Sequence, residues 1–151
     1  LIGGGNDNSY RNNIFMDSKL GIHIDNRKQG WAKKNGVKGG TWKLDMRLDQ
    51  VNYQQPPYSK KYPELVNYWE EEAEKPFPKN NTVKNNLFYK IGKVIDGKKE
   101  WLGWENNVES AELPDFWDNN KNEFILKDGK IAPDVEGFEP ITFSEIGCDL
   151  K

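Results

Sequence analysis

A pattern of eight residues occurs twice in this chain. Asn8-Ser9-Tyr10-Arg11-Asn12-Asn13-Ile14-Phe15 returns as Asn81-Thr82-Val83-Lys84-Asn85-Asn86-Leu87-Phe88, 73 positions further on. Each copy reads Asn, small hydroxyl, apolar, base, Asn, Asn, branched aliphatic, Phe. A fainter third copy, Trp104-Glu105-Asn106-Asn107-Val108, follows about one turn of chain after the second. Repetition of this kind means that one supersecondary unit is reused, and it constrains the fold more than any local signal does. The unit is short, rich in strand-forming residues and turned by paired asparagines. It points to an all-β chain coiled as a right-handed parallel β-helix, with asparagine side chains hydrogen-bonding along the stack at the bends.

Composition agrees with an ordered chain. Hydrophobic residues make up only 35% of the 151 residues, yet aromatic residues reach 13%. A disordered chain would be poor in aromatics. The formal charge of −2 supplies no basic field for nucleic acid or anionic lipid. No apolar run approaches the ~18 residues needed to span a membrane. Cys148, the single cysteine, permits no internal disulfide and no thiolate metal cluster. The opening Leu1-Ile2-Gly3-Gly4-Gly5 reads as a chain entered in mid-domain, so the expectation is a C-terminal portion, with more β-helix upstream in the same or a separate chain.

Four segments follow from the repeat. Residues 1–30 form a coil: a strand at Ile14-Phe15-Met16, a turn at Asp17-Ser18-Lys19, and a second strand from Leu20 to Asp25. Residues 79–128 supply further coils, with a turn signal at Asp96-Gly97, and residues 129–151 form a cap over the open end. Between them, 31–78 is too long for a simple connection, and such excursions are usually functional or disordered. Trp31, Trp42, Tyr53, Tyr58, Tyr62, Tyr68 and Trp69 argue for order. Pro63 to Glu74 reads as a short helix with Pro at its first position and acids early. Its Glu70–Glu74 run is a solvated face rather than a metal site.

Chemistry is best sought at Gly21-Ile22-His23-Ile24-Asp25-Asn26-Arg27. Side chains alternate along a strand, so Ile22 and Ile24 face the core together. His23, Asp25 and Arg27 then share the opposite face at roughly 7 Å intervals. Arg27 can hold Asp25 ionised or clamp a substrate oxygen, and histidine exchanges protons near neutral pH. The bland alternative is a surface ion pair with a solvated histidine. The excursion begins four residues later, and Trp31, Trp42 and Tyr62 are candidate walls. Aromatic faces beside carboxylate, amide and guanidinium groups suit carbohydrate, whose rings are apolar on their faces and polar at their hydroxyls. Glycoside hydrolysis needs two carboxyl groups. Asp25 is the first candidate, and its partner is Asp17, an excursion acid such as Asp45 or Glu64, or a residue upstream of this chain, among which the sequence does not decide. No cofactor is implied. Calcium is suggested only by Gly4-Gly5-Asn6-Asp7-Asn8, which lacks the closing bidentate acid and reads more simply as a turn.

Gly3 to Asn8, Asn12 to Asp17, Ile22 to Arg27, Gly30-Trp31, Tyr62-Pro63-Glu64-Leu65, Asn81 to Phe88, Gly137 to Ile141 and Ile146-Gly147 together resemble the C-terminal coils of bacterial parallel β-helix proteins. Some of these are similar to glycoside hydrolase family 141. One departure concerns the site, since Lys28-Gln29 separate Arg27 from Gly30 where the family pattern is Asp-x-Arg-Gly. The resemblance implies Asp25 as the catalytic acid, with His23 and Arg27 as substrate contacts. The expectation is a polysaccharide-degrading glycoside hydrolase, extracellular or periplasmic. The alternatives are a polysaccharide lyase and a non-catalytic carbohydrate-binding solenoid.

Overall fold

The repeat is a register. The computed structural model describes residues 2–27, 29–70, 78–126, 129–131, 135–142 and 145. Strands β1 (Ile2–Gly3), β2 (Ser9–Arg11) and β3 (Ile14–Asp25) precede the excursion. Beyond it come β4 (Asn81–Lys84), β5 (Leu87–Asp96), β6 (Leu102–Glu105) and β7 (Val108–Ser110). These seven strands form two parallel sheets, ordered β1-β3-β5-β7 and β2-β4-β6. Ser9 pairs with Thr82, Tyr10 with Val83, Ile14 with Leu87 and Phe15 with Phe88. The third copy continues the stack, with Val83 on Trp104 and Leu87 on Val108. Every repeated residue therefore lies beside its own counterpart.

Paired asparagines lock this register. Asn12, Asn85 and Asn106 all take the left-handed backbone conformation, which asparagine tolerates better than most residues. The residue after each one carries the ladder. Asn86 Oδ1 accepts from the backbone N–H and the side-chain amide of Asn13, at 3.0 and 2.9 Å. Asn86 in turn donates both kinds of bond to Asn107 Oδ1 and a further bond to the Tyr10 carbonyl. A second, shorter ladder joins Asn8 to Asn81 at the preceding corner. Asn81 and Asn86 are the buried polar residues of the core, and neither leaves a buried side-chain atom unpaired. Unpaired amides would each cost ~1–3 kcal/mol, so a slipped register is penalised at both corners.

Between the sheets lies the core of Ile2, Ile22, Ile24, Val83, Phe88 and Leu102. Ile22 and Ile24 are buried, as the alternation in β3 requires. The aromatic residues stack across layers as well. Phe15 lies parallel to Phe88 at 4.7 Å between ring centres, and Phe88 to Trp104 at 5.5 Å.

The architecture departs from the expected right-handed β-helix and is not all-β. Among the described residues no sheet closes and no solenoid forms; the chain is a mixture of small parallel and antiparallel sheets with helices. Beyond β7 the chain turns back on itself, pairing β8 (Trp117–Asp118) with β9 (Glu123–Phe124) and β10 (Lys130–Ile131) with β11 (Ile141–Thr142), both antiparallel. The excursion folds into α1 (Leu44–Gln50), α2 (Tyr58–Lys61) and a 3-10 turn at Pro63–Leu65. Leu, Met, Arg and Gln in α1 are good helix formers, a signal hidden by the surrounding aromatics. The helix expected over 63–74 begins as that 3-10 turn, and Glu71–Glu74 fall outside the described residues, as does Cys148. The turn expected at Asp17 is a left-handed kink inside one continuous β3, matched by Lys90 in β5. The expected cap lies elsewhere too. Its described part fastens the Asn corner, where Asn12 exchanges two hydrogen bonds with the Glu139 backbone and Asn85 donates to the Gly137 carbonyl.

Asn86→Ala strips hydrogen bonds to both neighbouring layers from a buried position. Urea unfolding is expected to show a loss of about 2–4 kcal/mol. The same change at the exposed Asn106 is expected to cost less, about 1 kcal/mol, from the left-handed backbone that alanine tolerates poorly.

Candidate functional site

The 73-residue register also brings His23 against Asp96, the last register pair of β3 and β5. His23 Nδ1 lies 2.7 Å from Asp96 Oδ2, and His23 Nε2 lies 3.5 Å from Asp25 Oδ2. One imidazole thus stands between two carboxylates. Asp25 accepts from the Arg27 backbone N–H at 3.1 Å and from its guanidinium at 3.2 and 3.3 Å. Lys93 makes an ion pair with the far oxygen of Asp96. The row is about one-third exposed, with side chains of His23 at 33%, Asp25 and Arg27 at 28% and Asp96 at 38%.

Two glycines shape it. The Arg27 guanidinium lies directly over the bare backbone of Gly3, and a Cβ there would require the end of that side chain to shift. Gly97 has φ of +121° and would press a Cβ into the Ile24 carbonyl. Only glycine takes that turn at no steric cost, and it sits immediately after Asp96.

Electrostatics hold both carboxylates ionised. Burial works to raise Asp25, but the hydrogen bonds from the Arg27 side chain and backbone, with its charge and the His23 contact, bring it below its ordinary value of 3.8. The Lys93 ammonium, and after it His23, draw Asp96 below the same value. A carboxyl acting as general acid is instead raised, by burial in apolar surroundings. These two groups are built as bases or anions.

Of the residues singled out from the sequence, the structure gathers His23, Asp25, Arg27, Trp31 and Trp42. The Arg27 guanidinium lies 5.6 Å from the Trp31 ring centre, and Trp42 meets Trp31 edge-on at 6.2 Å. Trp31 nevertheless stays 71% exposed. Asp17 lies toward the other end of β3, paired with Lys90 at 2.9 Å and well exposed. Tyr62 lines a separate groove of about 410 Å³ with Pro57, Tyr58 and Lys61. Asp45 is occupied in its own turn, accepting from the Gly39 and Met46 backbone N–H groups. Asp7, in the calcium-like stretch, accepts from the Asn80 side chain at a corner. Among the described residues no group of three or more His, Cys, Asp or Glu is placed to hold a metal ion. No described helix is long and apolar enough to cross a membrane.

Asp96 and Lys93 were missed in the sequence. The signal was present, because adding the repeat offset to His23 lands on Asp96. Comparison with known protein families, curated proteins and solved structures finds no match for this chain.

The depressed Asp25 carboxyl makes a pH-dependent contribution. Its folded form releases the proton more readily than the unfolded chain, so the added stability is fully present above the unfolded value and is lost as pH falls through the folded one. Asp25→Asn is expected to lower stability at pH 7 and to flatten its decline below about pH 4. Circular dichroism melts across that range test this.

Proposed function

We propose that the chain binds polysaccharide at the His23–Asp25–Arg27 row and its tryptophan edge. The supporting observation is Trp31, a large apolar ring held by Arg27 and Trp42 yet left mostly in solvent. Such a ring offers a surface for the C–H face of a sugar. The imidazole, guanidinium and two carboxylates beside it can donate to and accept from hydroxyls. Because each charged group already has a partner, little side-chain entropy is lost when a ligand arrives. This role fits a bacterial protein exported to the cell surface or periplasm.

Hydrolysis is the second reading, favoured by the two carboxylates flanking His23. In a glycoside hydrolase Asp25, ionised by Arg27, suits the nucleophile or base, and the proton for the leaving oxygen has to come from a group other than Asp25 and Asp96. A lyase for acidic sugars has less support, since Arg27 and Lys93 are neutralised by Asp25 and Asp96.

Affinity electrophoresis against a panel of soluble polysaccharides is expected to retard the chain, with Trp31→Ala weakening retention at least about tenfold. Unchanged retention in that variant would contradict the reading. Reducing-sugar release that disappears in Asp25→Asn, with binding kept, would favour hydrolysis.

A further inference from the structure

A second binding surface lies at the other asparagine corner. Two cavities, of about 410 and 450 Å³, share Lys79 and Asn80 in their walls and so adjoin. The first is walled by Asn6, Asp7 and the excursion residues Glu64 and Tyr68. The second continues past Thr82 to Glu100, Trp101 and Gly103. The shared residues belong to the middle layer of the stack. Asp7 and Asn80 are repeat counterparts joined at 2.9 Å, and Asn81 beside Asn80 pairs with Leu102 in the next layer. The groove therefore runs across the strands, over successive layers spaced ~4.8 Å apart.

Its lining is specific in character. Tyr68 and Trp101 supply flat apolar faces, one in each cavity, and the Lys98 ammonium lies 5.4 Å from the Trp101 ring centre. Asparagine amides and carboxylates lie between them. Three lining carboxylates, Asp7, Glu64 and Glu100, outnumber the two ammonium groups beside them, Lys79 and the Lys98 that lies 3.9 Å from Glu100. That excess of negative charge disfavours uronate-rich or sulfated chains and nucleic acid. Each cavity has the volume of a small-ligand site, and their junction makes an elongated one.

We infer that this corner groove is an extended site for a neutral oligosaccharide of more than two units, distinct from the His23 row. The inference shares with the proposed function only the class of ligand. It requires affinity to grow with chain length, because a longer glycan reaches both aromatic faces at once.

Isothermal titration of the 151-residue chain with neutral hexasaccharides of glucose, xylose and mannose, with the matching disaccharides and with hexagalacturonate, tests it. At least one neutral hexasaccharide is expected to bind about tenfold or more tighter than its disaccharide, and hexagalacturonate to bind more weakly. Glu64→Ala/Glu100→Ala, at two exposed positions, and separately Tyr68→Ala are expected to erase the length dependence while Trp31→Ala keeps it. Circular dichroism establishes that each variant folds. Absence of length dependence, tighter binding of hexagalacturonate, or full affinity in both groove variants would overturn the inference. Loss confined to Trp31→Ala would leave the row as the binding face and remove the groove. Loss confined to the groove variants would do the reverse.

Discussion

The side-chain amide of Asn86 holds the molecule in one arrangement. It is buried, it accepts twice from the layer before and donates to the layer after, and it also reaches a backbone carbonyl of β2. Apolar contacts alone would tolerate several registers of a stacked parallel sheet. An amide that needs partners in both neighbouring layers does not. Shifting β3 by one residue against β5 would break the ladder and turn His23 and Asp25 inward in place of Ile22 and Ile24. Those two penalties coincide, so the same register satisfies the corner and buries the core.

Function inherits that register. Asp96 lies far from His23 in sequence, and nothing local brings them together. Once Asn13 sits on Asn86 and Phe15 on Phe88, continued pairing of β3 with β5 delivers Asp96 to the imidazole. Gly97 then lets the chain leave without displacing Ile24, and the Arg27 guanidinium lies over the bare backbone of Gly3. The corner groove has the same origin, because Asp7, Asn80 and Trp101 occupy equivalent places in successive layers.

Much of the local structure was legible. The doubled asparagines announced the corners, and strict alternation in Ile22-His23-Ile24-Asp25 showed which residues face out. What the repeat could not convey is how far the pattern extends. Three layers of matched residues suggest a long coil, and Trp117-Asp118-Asn119-Asn120 even repeats the Trp-acid-Asn-Asn of the third copy, yet there the asparagines lie in the turn of an antiparallel pair and the chain folds back. The excursion also hid α1, whose helix formers carry no apolar stripe long enough to stand out. Asp96 was overlooked for a different reason. Asp-Gly is a strong turn signal, and a residue that explains a turn is easily left out of a site. Asp17 sits at a kink within β3 rather than in a turn that folds it back toward Asp25, and its partner across the register is Lys90.

His23 is the single histidine of the chain, so its ring nitrogens can be observed without assignment ambiguity. The most direct test is the ¹⁵N shift pair of that imidazole, measured where the ring is neutral, in the native chain and in Asp96→Asn. With the register described, Nδ1 carries the proton and donates to Asp96, and the substitution shifts the ring toward the Nε2–H form. An Nε2–H ring in the native chain, unaltered by Asp96→Asn, would contradict the hydrogen bond from His23 to Asp96 that the pairing of β3 with β5 delivers.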